Sequence, residues 1–185
     1  FCLSRGLGDV YKRQYLKGVS WALQQAGYSL QGWDGVLLGE VPIGAGLSSS
    51  AALEMAAARA FAAASSFSWD SLQMARLCQR AENEWVGVQC GIMDQMASGL
   101  AKAGHVLFLD CRSLETRHVP FPPGVVAVVM DSDTRRDLAS SAYNDRRREC
   151  EMAAQRLGVP ALRDLSPEEL ETRAATVKLE EALYR

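Results

Sequence analysis

The stretch Val41-Pro42-Ile43-Gly44-Ala45-Gly46-Leu47-Ser48-Ser49-Ser50-Ala51-Ala52 constrains this chain more than any other. Glycines give way to serines and then to alanines, which calls for a tight turn that empties into a helix. Such a junction can gather an anion site from backbone alone. The glycines let amide groups approach the anion, and the helix N-terminus adds partial positive charge. The serine hydroxyls can donate to phosphate oxygens or supply an oxygen ligand for magnesium. No Gly-Lys-Ser/Thr follows the glycines, so this is not a Walker A loop. A plainer reading uses the same residues: a turn with a serine N-cap feeding a packed helix. The pattern alone leaves both open.

Around this turn the chain reads as α+β. Leu16, Val19, Ala22, Leu23 and Ala26 follow helical spacing from Tyr15 to Gly27, where the glycine ends the run. Residues 33–41 read as a strand entering the turn, and a helix follows over about 49–64. A second helix is expected from Ser68 as N-cap, with Met74, Leu77, Cys78, Ala81 and Trp85 on one stripe, and a third near Ile92. Strands are expected over 105–111, 115–119 and 125–131. The pattern then predicts a helix over 138–157 that buries Tyr143, Cys150 and Leu157 and stops at Gly158 and Pro160. Ser166-Pro167-Glu168-Glu169 signals a further helix start.

With 185 residues, 48% of them hydrophobic, the chain can bury one sizeable core. A net charge of −2 argues against a nucleic-acid surface. Five scattered cysteines without a Cys-x-x-Cys pair, and only two histidines, argue against structural zinc and suit a reducing cytosol. No apolar run approaches the roughly 20 residues of a membrane helix, so no membrane partner is expected. Residues 1–14 carry no period that joins the helical run from Tyr15 and read as a non-native leader. The pattern at Leu183-Tyr184-Arg185 stops mid-helix, as in a fragment.

Two carboxylates stand out. Asp94, inside Gly91-Ile92-Met93-Asp94-Gln95, has apolar neighbours, where a carboxylate is costly without a purpose; helix N-capping is the competing explanation. Glu82 lies near the end of the second helix, where spacing favours a solvated face. Together the pair suits magnesium binding and hydroxyl orientation in phosphoryl transfer. Arg146, Arg147 and Arg148, with Glu149 and Glu151, read as a self-paired helix face. Tyr143, Cys90 and Cys111 read as core residues.

Taken together, these segments resemble the GHMP kinases, and within them the galactokinase family. Pro42 to Ala52 looks like the superfamily's phosphate-binding motif. Cys90-Gly91-Ile92-Met93-Asp94-Gln95, Asp110-Cys111-Arg112-Ser113-Leu114-Glu115 and Ser140 to Cys150 are more selective. The resemblance runs from Tyr15 to about Leu170. It implies an α+β, GHMP-kinase-type two-layer domain, a mixed sheet packed with helices, over residues 15–130, and the truncated start of a second α+β domain over 131–185. It implies that Gly44, Ala45, Gly46, Leu47, Ser48, Ser49 and Ser50 wrap the phosphates of ATP and that Ser50 and Glu82 hold Mg2+. Asp94 would be the catalytic base or orienting group at the anomeric hydroxyl of galactose, with Gly91, Asp94 and Tyr143 touching the sugar.

The resemblance also implies a cytoplasmic enzyme. The family's N-terminal signature, expected before Tyr15, and its second glycine-rich motif, expected after Arg185, do not appear. The 185-residue chain is therefore expected to be inactive by itself. A kinase for another sugar, such as N-acetylgalactosamine or arabinose, and a non-catalytic galactose and ATP sensor are the alternatives.

Overall fold

The structure, a computed structural model, describes residues 10–130 and 141–177. The chain divides into two compact units, residues 1–139 and 140–185.

The first unit is a helical core with a small sheet. Helix α1 (Val10–Gln25) begins earlier than the period from Tyr15 suggests, and residues 1–9 of the expected leader lie outside the described residues. It ends as glycine predicts. Gly27 sits at φ 88°, the Gly27 amide donates to the Gln24 carbonyl and the Tyr28 amide donates to the Leu23 carbonyl. This pair of bonds closes a helix on a left-handed residue. Ala26 is exposed, beyond the packed turns.

Helix α2 (Ser49–Ser65) presents Ala51, Met55, Ala58, Phe61 and Ala62 to the core. Leu16, Val19 and Leu23 of α1 and Met74, Ala75 and Cys78 of α3 (Ser71–Arg80) meet them there. The many alanines let these helices approach closely, and Phe61 supplies bulk, with Trp33 edge-on at 5.9 Å between ring centroids.

Several expectations are corrected here. Helix α3 is capped by Asp70, not Ser68: Asp70 Oδ1 accepts from the Gln73 amide at 3.0 Å. At Ala81 the helix widens into a π-helical turn, Ala81–Val86, in which the Gly87 amide donates to the Glu82 carbonyl five residues back. The wider turn takes Trp85 off the buried stripe. It is 42% exposed, lies 5.8 Å from Trp21 between ring centroids, and donates from Nε1 to Gln14 Oε1. Gly18 makes room for this turn, since a Cβ there would lie 3.2 Å from the Trp85 ring and 3.3 Å from Ala81 Cβ.

Helix α4 (Met93–Leu100) follows. Strands β1 (His105–Leu109) and β2 (Thr116–Pro120) pair antiparallel, with Leu107 opposite His118. The Asp110 to Glu115 segment is their connection: Asp110 Oδ1 accepts from the Arg112 and Ser113 amides at 2.7 and 3.1 Å, so a turn occupies this family-like string. Cys111 is exposed there rather than in the core.

Among the described residues this ribbon is the whole sheet, rather than the mixed sheet expected. Residues 33–41 and 125–130 are not in a ladder; residue 131 lies outside the described residues. Val36, Leu38, Val126, Val128 and Met130 are all exposed. The valines among them suit strands, but a strand is stable only beside another, and among the described residues none is hydrogen-bonded to these segments.

The second unit holds α5 (Ser141–Leu157) and α6 (Pro167–Val177), with Ala153, Ala154, Leu157 and Ala174 buried. Cys150, expected in the core, is exposed, and the side chain of Tyr143 lies outside the described residues. The arginine face pairs within α5, Arg147 with Glu151 at 2.8 Å and Arg148 with Asp145 at 2.7 Å. Ser166 and Glu169 form a reciprocal capping box at the start of α6.

Candidate active site

The glycine-rich turn enters α2 through a backbone of alternating hand. Gly44 (φ 73°), Gly46 (φ 75°) and Ser48 (φ 58°) are all left-handed. Alternation of this kind is the geometry in which successive amide groups converge on an anion. Ser48 stands at the N-cap, yet its side chain makes no capping hydrogen bond. The first backbone N–H groups of α2 have no partner within the helix, so they face the turn as donors. The serine N-cap reading thus describes Ser48's place but not its hydroxyl. The turn connects an extended segment to the helix, where a strand was expected.

Ser50, the second residue of α2, lies beside Glu82 of the π-helical turn, whose charged form its hydroxyl favours. Glu82 is not on a solvated face; it is 3% exposed. Its Oε2 accepts from Gln95 Nε2 at 2.8 Å and from the Cys90 thiol at 3.2 Å. The same Gln95 nitrogen donates to Glu54 Oε2 at 3.1 Å. Glu54 and Gln95 are fully buried, and neither Glu54 Oε1 nor Gln95 Oε1 has a hydrogen-bond partner.

Asp94 lies in the first turn of α4 and is half-buried. The N-cap position belongs to Ile92, so Asp94 is not the cap that its spacing allowed. Its negative charge reaches both Glu54 and Glu82. Gly91 is exposed just before α4, with open space where a Cβ would stand. The loop that carries it is held by Gln79 Nε2, which donates to the Cys90 carbonyl at 3.1 Å.

Crowding of acids sets the electrostatics. Burial, then the charge of Glu82, pushes the Glu54 carboxyl up to about 9, against a downward pull from the Gln95 amide. Glu54 therefore holds its proton at neutral pH. Burial also raises Glu82, while hydrogen bonds from Cys90, Ser50 and Gln95 oppose the rise. The Cys90 thiol is pushed well up by burial and by Glu82, so it acts as a hydrogen-bond donor and not as a nucleophile.

Ser50, Glu82 and Asp94 are thus gathered around one buried polar cluster, with Gly91 and the glycine-rich turn beside them in the chain. Tyr143 belongs to the other unit. The Ser50 hydroxyl and the Glu82 carboxylate offer only oxygen donors, which suits magnesium, an ion that takes one or two protein oxygens and completes its shell with phosphates and water. Among the described residues no cluster of three or more His, Cys, Asp or Glu could hold a metal unaided. A separate open groove of about 420 Å³, lined by Ala52, Met55, Arg59, Trp69 and Ser98, contains none of these acids.

Sequence reading missed Glu54, Gln95 and the role of Cys90. The signal for the first was present. Glu54 falls on the stripe Ala51, Met55, Ala58, Phe61 and Ala62, a charged residue on a face otherwise destined for the core. Gln95 likewise sits between the buried Ile92 and Met96.

Residues 14–102 match the family model of the GHMP kinases N terminal domain. Within that family the similarity is to galactokinases. The chain is 49% identical over 161 residues to the galactokinase of Roseiflexus sp. (strain RS-1), an alignment that takes in 84% of this chain and 41% of that protein. A crystal structure of Lactococcus lactis galactokinase complexed with galactose superposes with a TM-score of 0.80 at 28% identity, covering 98% of this chain and 48% of that one. The chain therefore spans less than half the length of the relatives it matches. Among the described residues, no helix is long and apolar enough to cross a membrane.

Proposed function

We propose that this chain is the phosphate-loop and base-bearing portion of a galactokinase, which transfers the γ-phosphoryl group of ATP to the anomeric hydroxyl of galactose. The observation that carries the reading is the convergence of Ser50, Glu82 and Asp94 on one buried cluster at the end of the glycine-rich turn. The similarity to two galactokinases, one of them complexed with galactose, supports the substrate class.

In this reading the amides of Gly44 to Ser50 wrap the ATP phosphates. Ser50 and Glu82 are the protein ligands of Mg2+, which when bound neutralises phosphate charge. Asp94 accepts a hydrogen bond from the anomeric hydroxyl, orients it for in-line attack and takes its proton. Gly91 lets the sugar approach the backbone. Positioning and charge neutralisation carry most of such a transfer. The compartment is the cytoplasm, and neither nucleic acid nor membrane is a partner.

The test is ADP release by a protein that carries this chain at the relatives' full length. It is assayed with galactose, N-acetylgalactosamine, arabinose or no sugar, beside its Asp94→Asn variant. Galactose-dependent turnover that the variant loses while still binding nucleotide is expected. Turnover retained in the variant would remove Asp94 from the chemistry, and galactose binding without turnover would make the protein a sensor.

A further inference from the structure

Among the described residues three polar side chains are buried: Glu54, Glu82 and Gln95. Two carboxyl groups inside a core of alanine and methionine are costly, and well-packed apolar residues in their place would usually leave a fold as stable or more so. Stability therefore does not account for them.

Their geometry points elsewhere. One nitrogen, Gln95 Nε2, lies 2.8 Å from Glu82 Oε2 and 3.1 Å from Glu54 Oε2. An amide nitrogen has two N–H groups, so each carboxyl takes one. If Glu82 swung away, the amide would lose its shortest bond and that N–H would be left with only the weak acceptor Cys90 Sγ, 3.8 Å away. Gln95 also directly follows Asp94 in the first turn of α4. One side chain therefore ties the π-helical turn and α2 to the helix that presents Asp94.

We propose that Gln95 is a positioning residue, whose amide, anchored on Glu54, fixes the Glu82 carboxylate relative to Asp94. This rests on the reading of Glu82 as a magnesium ligand. Carboxylates that ligate metals are commonly held by such outer hydrogen bonds. Glu54 needs only to accept here, which its carboxyl oxygen does whether or not the group carries a proton.

The test measures nucleotide binding, not turnover, in the relatives' full-length form with Asp94→Asn present throughout. A fluorescent ADP is titrated in EDTA and again at stepped magnesium concentrations. Gln95→Met keeps the bulk but removes both donors. It should cut the affinity gained from magnesium by about tenfold or more, the usual cost of losing an outer-shell partner, and leave affinity in EDTA within about twofold. Glu54→Gln retains an acceptor for the amide and should have the smaller effect. If Gln95→Met fails to fold, Gln95→Asn, one methylene too short to bridge the pair, takes its place with the same expectation. An unchanged gain from magnesium would overturn the proposal, as would equal weakening with and without the ion, which marks a packing role. If the unsubstituted protein shows no magnesium-dependent binding, the reading of Glu82 as a ligand fails and this inference with it.

Discussion

Replacing Glu54 with glutamine should change how stability depends on pH, and the sign follows from burial. In the folded chain the Glu54 carboxyl is raised from 4.5 to about 9, first by desolvation and then by Glu82. Between those values the folded state holds a proton at this site that the unfolded state has released. Stability from this group is fully present below about 4.5 and is lost progressively as pH rises toward about 9. One proton of difference gives on the order of 1 kcal/mol per pH unit, so a few kcal/mol between pH 6 and 8. Glu82 is raised as well, so its own contribution has the same sign. Glutamine has the shape of the neutral acid and does not titrate, so Glu54→Gln should lose this part of the slope and gain on the wild type as pH rises. Urea unfolding followed by tryptophan fluorescence at pH 6, 7 and 8, without magnesium, measures it. Parallel pH curves for the two proteins would refute the argument, because they would mean that Glu54 is ionised in the folded chain.

Two further outcomes test the packing and the turn. Phe61→Ala should cost roughly 3–5 kcal/mol in urea unfolding, since Phe61 is 2% exposed at the meeting of α1, α2 and α3; a loss below about 1 kcal/mol would mean the site collapses around the gap. Gly46→Ala meets no neighbour within 4 Å, so its cost is the left-handed backbone alone. It should be about 1–2 kcal/mol, accompanied by weaker nucleotide binding, and unchanged binding would detach this turn from the phosphates.

What could be read in advance depended on how local its cause was. Gly27 and Gly158 stop their helices by taking φ values that other residues avoid, and Ser166 with Glu169 caps α6 from within four residues. Such signals need no distant partner. The segments over 33–41 and 125–130 carry strand residues, but a ladder depends on a neighbour that composition does not name. Asp70 displaced Ser68 because both can cap within three residues of each other, and only the packing of α3 chooses. At the site, the turn and Asp94 stood out through their residue types, whereas Glu82 read as a solvated face and came forward, with Ser50, only through the family resemblance. Glu54 and Gln95 were not, because the number of carboxyls sharing one amide is a property of three helical segments brought together. Cys90 misled in a similar way: its chemistry comes from Glu82, eight residues away in the chain and 3.2 Å away in space.

The π-helical turn has a consequence for how this region tolerates change in length. Over Ala81–Val86 the chain accommodates one residue more than an α-helix would use for the same advance. Loss of a single residue there would relax the turn into regular helix, the more favourable hydrogen-bonding pattern. It would also change the angle at which Glu82 meets Gln95 and shift Trp85 from the place that Gly18 leaves for it. A lesion ruinous in most helices could leave this one better formed while emptying the cluster of its purpose. The extra residue is thus a spacer whose value lies in aim and not in strength.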